Sequence, residues 1–145
     1  MKRTIRLEPV PKFRARMRFV NGKAITFTPT KTAKAQKAIV KALNERPVKP
    51  FPPRVPLKLT VTFWRCKPKW IRPRESMPVR KPDTDNYLKL LMDALSGIAF
   101  VDDAQITTII VCKRWTLGSQ AMKRGQVRPP ETKGYIEFTI VEDKL

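Results

Sequence analysis

The chain has 145 residues, enough for one compact domain that buries a hydrophobic core without disulfides or a structural metal. Its 31 Lys and Arg residues against 12 Asp and Glu residues give a formal net charge of +19. Because such a surplus destabilises a compact fold by self-repulsion, it favours a polyanionic partner over a basic surface that serves only solubility.

The residue types exclude several chemistries. There is no histidine, and the two cysteines, Cys66 and Cys112, are far apart. A zinc site is therefore not expected, and we interpret both cysteines as small apolar or strand-surface residues. Histidine-based general bases, Ser/His/Asp triads and histidine-metal nucleases are excluded, so hydrolysis would need carboxylates, lysine or a bound metal ion. With neither a long apolar run nor an apolar signal core, we expect a cytoplasmic protein.

The N-terminal third predicts a basic β-hairpin. Short apolar runs at Ile5–Val10 and Met17–Phe27 are divided by basic residues and by Asn21-Gly22, a dipeptide that favours a tight hairpin turn. Thr28-Pro29-Thr30 then offers a helix start, and apolar residues recur at helical spacing through Asn44. The apolar face contains Ala35, Ala38, Ile39, Ala42 and Leu43, and the opposite face, which is either solvated or directed at phosphates, carries Lys34, Lys37 and Lys41.

The middle of the chain predicts a connector, a strand and a basic loop. Five prolines between Pro47 and Pro56 block helix formation, and the strand Leu57–Trp64 follows. The stretch Arg65–Lys81 combines many basic residues with three prolines and no apolar periodicity, so we expect an exposed loop. Trp70 beside Lys69 favours DNA contact over a merely solvated loop, since such mixtures suit bases and phosphates together.

The C-terminal half predicts one more helix and two strands. Leu88, Leu91, Met92 and Leu95 mark the buried face of a helix that ends near Ser96-Gly97. Ile106–Trp115 and Tyr135–Val141 have strand composition, with a polar, basic loop at Gly118–Lys133 between them. The order β-β-α-β-α-β-β predicts one α/β (α+β-like) domain over residues 1–145, with a mixed sheet and two main helices.

Five of the 12 acidic residues lie within 21 residues of this basic chain. Asp83 and Asp85 are at the start of the second helix, where Asp is also favoured as an N-cap. Two carboxylates within about 4 Å repel by roughly 4 kcal/mol at an effective dielectric of 20, so a pair needs a counterion such as magnesium. Lys89, four residues after Asp85, either stabilises charge in a transition state or forms an ordinary surface pair. The five acids are Asp83, Asp85, Asp93, Asp102 and Asp103.

The segment Lys81–Ile106, KPDTDNYLKLLMDALSGIAFVDDAQI, resembles the signature of the RusA family of Holliday junction resolvases. That signature is an Asp-x-Asp-Asn helix start followed by a later Asp-Asp pair. Segments 11–16 and 27–32 also resemble the family's basic hairpin and helix entry, so the resemblance covers residues 5–142. The chain departs from the family pattern in its long basic stretches 65–81 and 118–133.

The resemblance implies a small homodimeric α/β nuclease, of a kind often borne by prophages, that nicks four-way DNA junctions symmetrically with Mg²⁺ or Mn²⁺. By motif position, Asp83, Asp85 and Asp103 would be both catalytic residues and metal ligands, and Lys89 the essential catalytic lysine. Asp102 would be an outer or turn residue, and Asp93 a structural one.

Expected DNA contacts come from the N-terminal segment and the central basic stretch. Two alternatives stay open: a non-catalytic nucleic-acid-binding protein, and a nuclease acting on flaps, forks or single strands. The first leaves the clustered acids unexplained. The DNA contacts we expect are Lys12, Arg14, Arg16, Lys67, Lys69, Trp70, Arg72, Arg74, Arg80 and Lys81.

Overall fold

A four-stranded mixed sheet supports two helices and a separate two-stranded hairpin. The computed structural model describes residues 1–72, 74–116 and 133–144. This architecture confirms the predicted α+β-like domain with a mixed sheet and two main helices. In chain order the elements are β1 (Lys2–Ile5), β2 (Arg16–Val20), β3 (Lys23–Phe27), α1 (Thr30–Asn44), β4 (Leu57–Arg65), α2 (Thr84–Leu95), β5 (Ile106–Trp115) and β6 (Tyr135–Glu142).

The sheet has the strand order β1-β6-β4-β5, in which β4 and β5 run parallel and the other neighbours are antiparallel. The chain passes from β4 through α2 to β5, as a parallel pair requires. Arg65 therefore lies opposite Trp115, and Leu57 lies opposite Ile106. As a result, the N-terminal end of α2 lies near the carboxyl ends of β4 and β5, and its C-terminal end near their amino ends.

The core lies between one face of the sheet and the two helices. Alternate residues of β4 and β6 are buried, together with one face of each helix. On α2 the prediction was right for Leu91 and Leu95, but Leu88 and Met92 are only half-buried. The core face instead includes Tyr87, whose ring packs 5.4 Å from the ring of Phe63. The other buried residues of α2 are Leu90 and Ala94.

The predicted hairpin and first helix are confirmed. Asn21 and Gly22 have φ values of 49° and 75°, the left-handed pair that a two-residue hairpin turn requires, and α1 has the predicted bounds. The run Ile5–Val10, in contrast, is not a strand, because β1 ends at Ile5. Pro9 and Pro11 lack amide donors, and this explains why pairing stops before them.

The central basic stretch is less exposed than predicted. Lys67 is 8% exposed and Ile71 is 5% exposed. The Lys67 ammonium donates to the backbone oxygen of Glu75 at 2.7 Å, and the Ile71 amide donates to the Pro68 oxygen at 3.1 Å. These contacts hold the stretch in a folded conformation that buries both residues. The predicted loop Gly118–Lys133 lies, apart from its last residue, outside the described residues. Neither helix of the described ranges is long and apolar enough to cross a membrane.

Candidate functional site

Two carboxylates flank the start of α2. Asp83 precedes the first helical residue with an extended backbone, and its side chain makes no capping hydrogen bond. Asp85 lies in the first helical turn, and both residues are exposed. Side-chain capping is the ordinary explanation for an Asp before a helix, and it does not account for Asp83. Both carboxylates carry oxygen atoms that a hard divalent cation could share with solvent and phosphate.

Lys89 pairs with Asp85 along one face of α2. The Lys89 ammonium lies 3.0 Å from a carboxylate oxygen of Asp85, at the predicted spacing of four residues. The hydrogen bond from Lys89 lowers the pKa of Asp85 below its ordinary value, so this carboxylate stays ionised in mildly acidic solution. Both side chains are more than half exposed. The pair thus keeps a cation beside the Asp85 carboxylate at a solvent-accessible position.

A second lysine, Lys113 of β5, reaches the same helix start. Its ammonium donates to the backbone oxygens of Arg80 at 3.1 Å and Pro82 at 2.9 Å. Burial lowers the pKa of Lys113, the neighbouring charge of Arg65 lowers it further, and Asp83 opposes both effects. Sequence reasoning missed Lys113. The available signal was a parallel β4–α2–β5 unit, which brings the carboxyl end of β5 to the segment that leads into α2.

Asp102 and Asp103 lie in a short turn at the other end of α2. The Asp102 carboxylate accepts from the Ala104 amide at 2.8 Å, and Gln105 accepts from the Asp102 amide at 3.2 Å. Gln105 also donates to the Pro52 oxygen at 2.7 Å, which fixes the turn to the proline-rich connector. Asp102 is therefore a turn residue, in agreement with the sequence reading. Asp103 is exposed in the same turn.

The structure does not bring Asp103 to the other two proposed ligands. The 12 residues of α2 span about 18 Å at 1.5 Å per residue. Asp103 lies just before the amino end of β5. Asp83, in contrast, lies near Lys113, which is close to the carboxyl end of β5. Among residues 1–72, 74–116 and 133–144, no group of three or more His, Cys, Asp or Glu side chains could hold a metal ion. One protomer therefore presents the acids as two separate sites, Asp83 with Asp85 and Asp103 alone.

Asp93, for which the sequence predicts a structural role, forms an ion pair at the surface. Its carboxylate pairs with the ammonium of Lys12, and the Lys12 amide donates to the Asn86 oxygen at 2.8 Å. These two contacts attach the segment before the hairpin to α2. Lys12 is half-buried there, and its ammonium is already paired with Asp93.

Glu8 forms a contact that sequence reasoning did not find. Its carboxylate accepts from the amides of Gly134 at 2.8 Å and Cys66 at 3.2 Å. Burial of the carboxylate raises the pKa of Glu8, and the two hydrogen bonds and the charge of Arg65 partly offset that rise. The contact joins the segment after β1 to the end of β4 and the start of β6. No local pattern signals a contact between residues 126 positions apart.

Most of the predicted DNA contacts are exposed. The guanidinium of Arg80 lies 5.4 Å from the centre of the Trp70 ring and 3.3 Å from the Glu75 carboxylate, and Trp70 is 70% exposed. Lys67 differs from the expectation, because its ammonium is turned into the folded stretch. The predicted residues that the structure leaves exposed are Arg14, Arg16, Lys69, Trp70, Arg72, Arg74, Arg80 and Lys81.

Comparison with known proteins identifies the family of this chain. The family model described as endodeoxyribonuclease RusA matches residues 6–122. An uncharacterized protein of Bacillus subtilis (strain 168), YqaN, is 32% identical over 125 residues, which cover 78% of this chain and 86% of that protein. The matched range of the family model includes the hairpin, both helices and the acids from Asp83 to Asp103.

Proposed function

We propose that this chain, which belongs to the RusA family of endodeoxyribonucleases, cuts four-way DNA junctions by metal-dependent hydrolysis. The proposal rests on the match over residues 6–122 together with two exposed carboxylates at the start of α2, in a chain of net charge +19. One of them, Asp83, makes no capping hydrogen bond to the helix. Acids at this position would add no DNA affinity to a protein that only binds phosphates, because they repel the phosphate backbone.

Asp83 and Asp85 are the proposed core of the hydrolytic site. Their oxygens suit Mg²⁺ or Mn²⁺, because both ions prefer carboxylate and water ligands. When bound, such a cation lowers the pKa of a water molecule and neutralises charge on the phosphate. Lys89 keeps a positive charge next to Asp85, where it can oppose the negative charge that builds up on the phosphate as the bond breaks.

Asp103 is the third proposed ligand, and its position favours a homodimer. Because it lies at the far end of α2 from Asp83, a site with all three carboxylates needs a second protomer that presents Asp103 to Asp83 and Asp85. Two-fold pairing is the commonest closed arrangement of identical chains, and it generates two equivalent sites. A four-way junction has two equivalent strands, so two sites match the paired nicks that resolution needs.

The test is cleavage of synthetic DNAs that share their arm sequences but differ in branching. We expect four-way junctions to be nicked in pairs with Mg²⁺ and left intact in EDTA, and linear duplexes to survive. Equal or faster cleavage of flaps, forks or single strands would replace the junction by one of those substrates. Tight binding with no nicking in Mg²⁺ or Mn²⁺ would leave only a nucleic-acid-binding protein.

A further inference from the structure

The β2–β3 hairpin stands away from the core. All ten residues of the two strands are exposed, including Phe19 at 76% and Met17 at 64%. An isolated two-stranded hairpin is marginally stable in water, and clustered exposed apolar side chains usually mark a binding surface. We call residues 16–27 the hairpin arm.

The two faces of the hairpin arm differ in charge. Directly opposed residues of an antiparallel pair share a face, so the register assigns each side chain to one side. One face has no charged residue, and Met17 and Phe19 dominate it. On the other face the Arg18 guanidinium lies 5.6 Å from the centre of the Phe27 ring, which leaves its donors available to an anion. The uncharged face contains Met17, Phe19, Ala24 and Thr26; the basic face contains Arg16, Arg18, Val20, Lys23, Ile25 and Phe27.

The base of the hairpin arm is fixed beside the proposed carboxylates. The Lys12 amide donates to the oxygen of Asn86, the residue after Asp85. The Phe13 amide donates to the side chain of Thr32 at 3.1 Å, in the first turn of α1. Strands of five residues extend about 17 Å. DNA with a phosphate at Asp83 and Asp85 would therefore lie within reach of the arm.

We infer that the hairpin arm binds the DNA branch point, with its basic face against phosphates and with Met17 and Phe19 against unstacked bases. The inference rests on the proposed function. DNA suits the arm better than a second copy of the chain, because no acidic residue occurs between Glu8 and Glu45. A second copy that paired with it arm to arm would present the same cationic segment. Unstacked bases, which a branch point offers and a linear duplex does not, match the uncharged face.

The test measures binding in EDTA, so that cleavage plays no part. The double variant Met17→Ala/Phe19→Ala is compared with wild type on a linear duplex and on a four-way junction carrying 2-aminopurine at the branch. We expect the preference for the junction over the duplex to fall about ten-fold, as for the loss of one base–aromatic stack. The rise in 2-aminopurine fluorescence on binding should also disappear.

Two further variants serve as controls: one changes an apolar residue outside the hairpin arm, and the other changes the basic face of the arm. Val141→Ala removes an apolar residue of β6 that is 44% exposed, and it should leave the preference unchanged. Arg16→Ala/Arg18→Ala should weaken binding to both DNAs and reduce the slope of log affinity against log salt by about 1.8, since each phosphate contact contributes about 0.9.

An unchanged junction preference in Met17→Ala/Phe19→Ala would overturn the inference that the hairpin arm binds the branch point, and it would leave the proposed function standing. A wild-type protein that prefers no junction would overturn both. Light scattering that shows a dimer becoming a monomer in the double variant would assign the uncharged face to a second copy. Benzoylphenylalanine in place of Phe19 keeps an aromatic ring in the full chain: light-induced adducts with branch-point bases support the arm, and adducts with protein alone overturn it.

Discussion

Asp83 shows what a single residue's neighbours add to a sequence motif. From the sequence, an Asp before a helix is explained equally well by capping and by catalysis. The structure separates the two, because the Asp83 side chain caps no amide. Asp102 behaves in the opposite way, since its carboxylate does accept an amide in its turn. Motif position and hydrogen bonding together thus distinguish acids that hold the fold from acids that remain available to a ligand.

Asp83→Asn and Asp85→Asn should each reduce Mg²⁺-dependent cleavage by about 100-fold or more, because a metal ion contributes several kcal/mol to such a reaction and the amide removes a charged ligand. Junction binding in EDTA should persist in both variants. The matched control is Asp93→Asn, which alters an acid paired with Lys12 and should cleave at nearly the wild-type rate. Wild-type activity in either proposed ligand variant would remove that residue from the site.

Lys89→Ala should raise the pKa of Asp85 toward its ordinary value, because the hydrogen bond from Lys89 is the main cause of the present lowering. A carboxyl whose pKa is lowered by folding stabilises the fold above its unfolded pKa, and this contribution is lost as the pH falls through the folded pKa. The variant should therefore lose a little stability at neutral pH and none in strong acid. NMR titration of the Asp85 carboxyl checks this, and an unchanged midpoint would contradict the pairing.

The same variant separates the two roles considered for Lys89 in the reaction. If the lysine acts on the transition state, Lys89→Ala lowers the single-turnover rate much more than the affinity for the junction. Lys89→Arg, which keeps the charge, should recover part of the rate. A parallel fall in rate and affinity would make Lys89 a phosphate contact only.

At the scale of elements, local patterns predicted well what local forces determine. The hairpin turn follows from Asn21-Gly22, and the bounds of α1 follow from its start signal and spacing. Two features were not predicted. β1 exists because it pairs with β6, about 135 residues away. The stretch 65–81 buries Lys67 and Ile71 without any apolar periodicity that would signal it.

Gly134 illustrates such a distant constraint. A Cβ atom at this residue would lie 2.0 Å from a Glu8 carboxylate oxygen and 2.7 Å from the backbone oxygen of Trp64. Gly134→Ala should therefore destabilise the fold by about 1–3 kcal/mol, as overpacking usually does. Urea denaturation measures the loss. Adding Glu8→Ala should restore at most part of it, because the contact with the Trp64 oxygen remains and the amides of Gly134 and Cys66 lose their acceptor. An unchanged midpoint in the single variant would refute the close approach.

At the scale of the whole molecule, the family and fold were predictable, whereas the assembly of the site was not. The motif from Asp83 to Asp103 gives the identity of the acids but not their distances. Only the parallel arrangement of β4 and β5 reveals that α2 separates Asp103 from the other two. A site that contains all three acids would therefore need two protomers.

Mixing two inactive proteins tests this arrangement. If each site combines Asp85 of one protomer with Asp103 of the other, a mixed dimer of Asp85→Asn and Asp103→Asn contains one intact site and one doubly damaged site. Subunit exchange between the two variants should then recover nicking of one strand per junction. Sites formed within single protomers would give no recovery. An Asp83→Asn and Asp85→Asn mixture is the control, since both changes affect the same helix start and each site loses one ligand.

The most direct measurement is cleavage of one four-way junction, labelled on each strand in turn, by the wild-type protein over a series of Mg²⁺ concentrations. We predict nicks at symmetric positions in two opposite strands, which appear only with Mg²⁺ or Mn²⁺ and are absent in the Asp83→Asn/Asp85→Asn double variant. Equal cleavage in EDTA, or undiminished cleavage by the double variant, would contradict it.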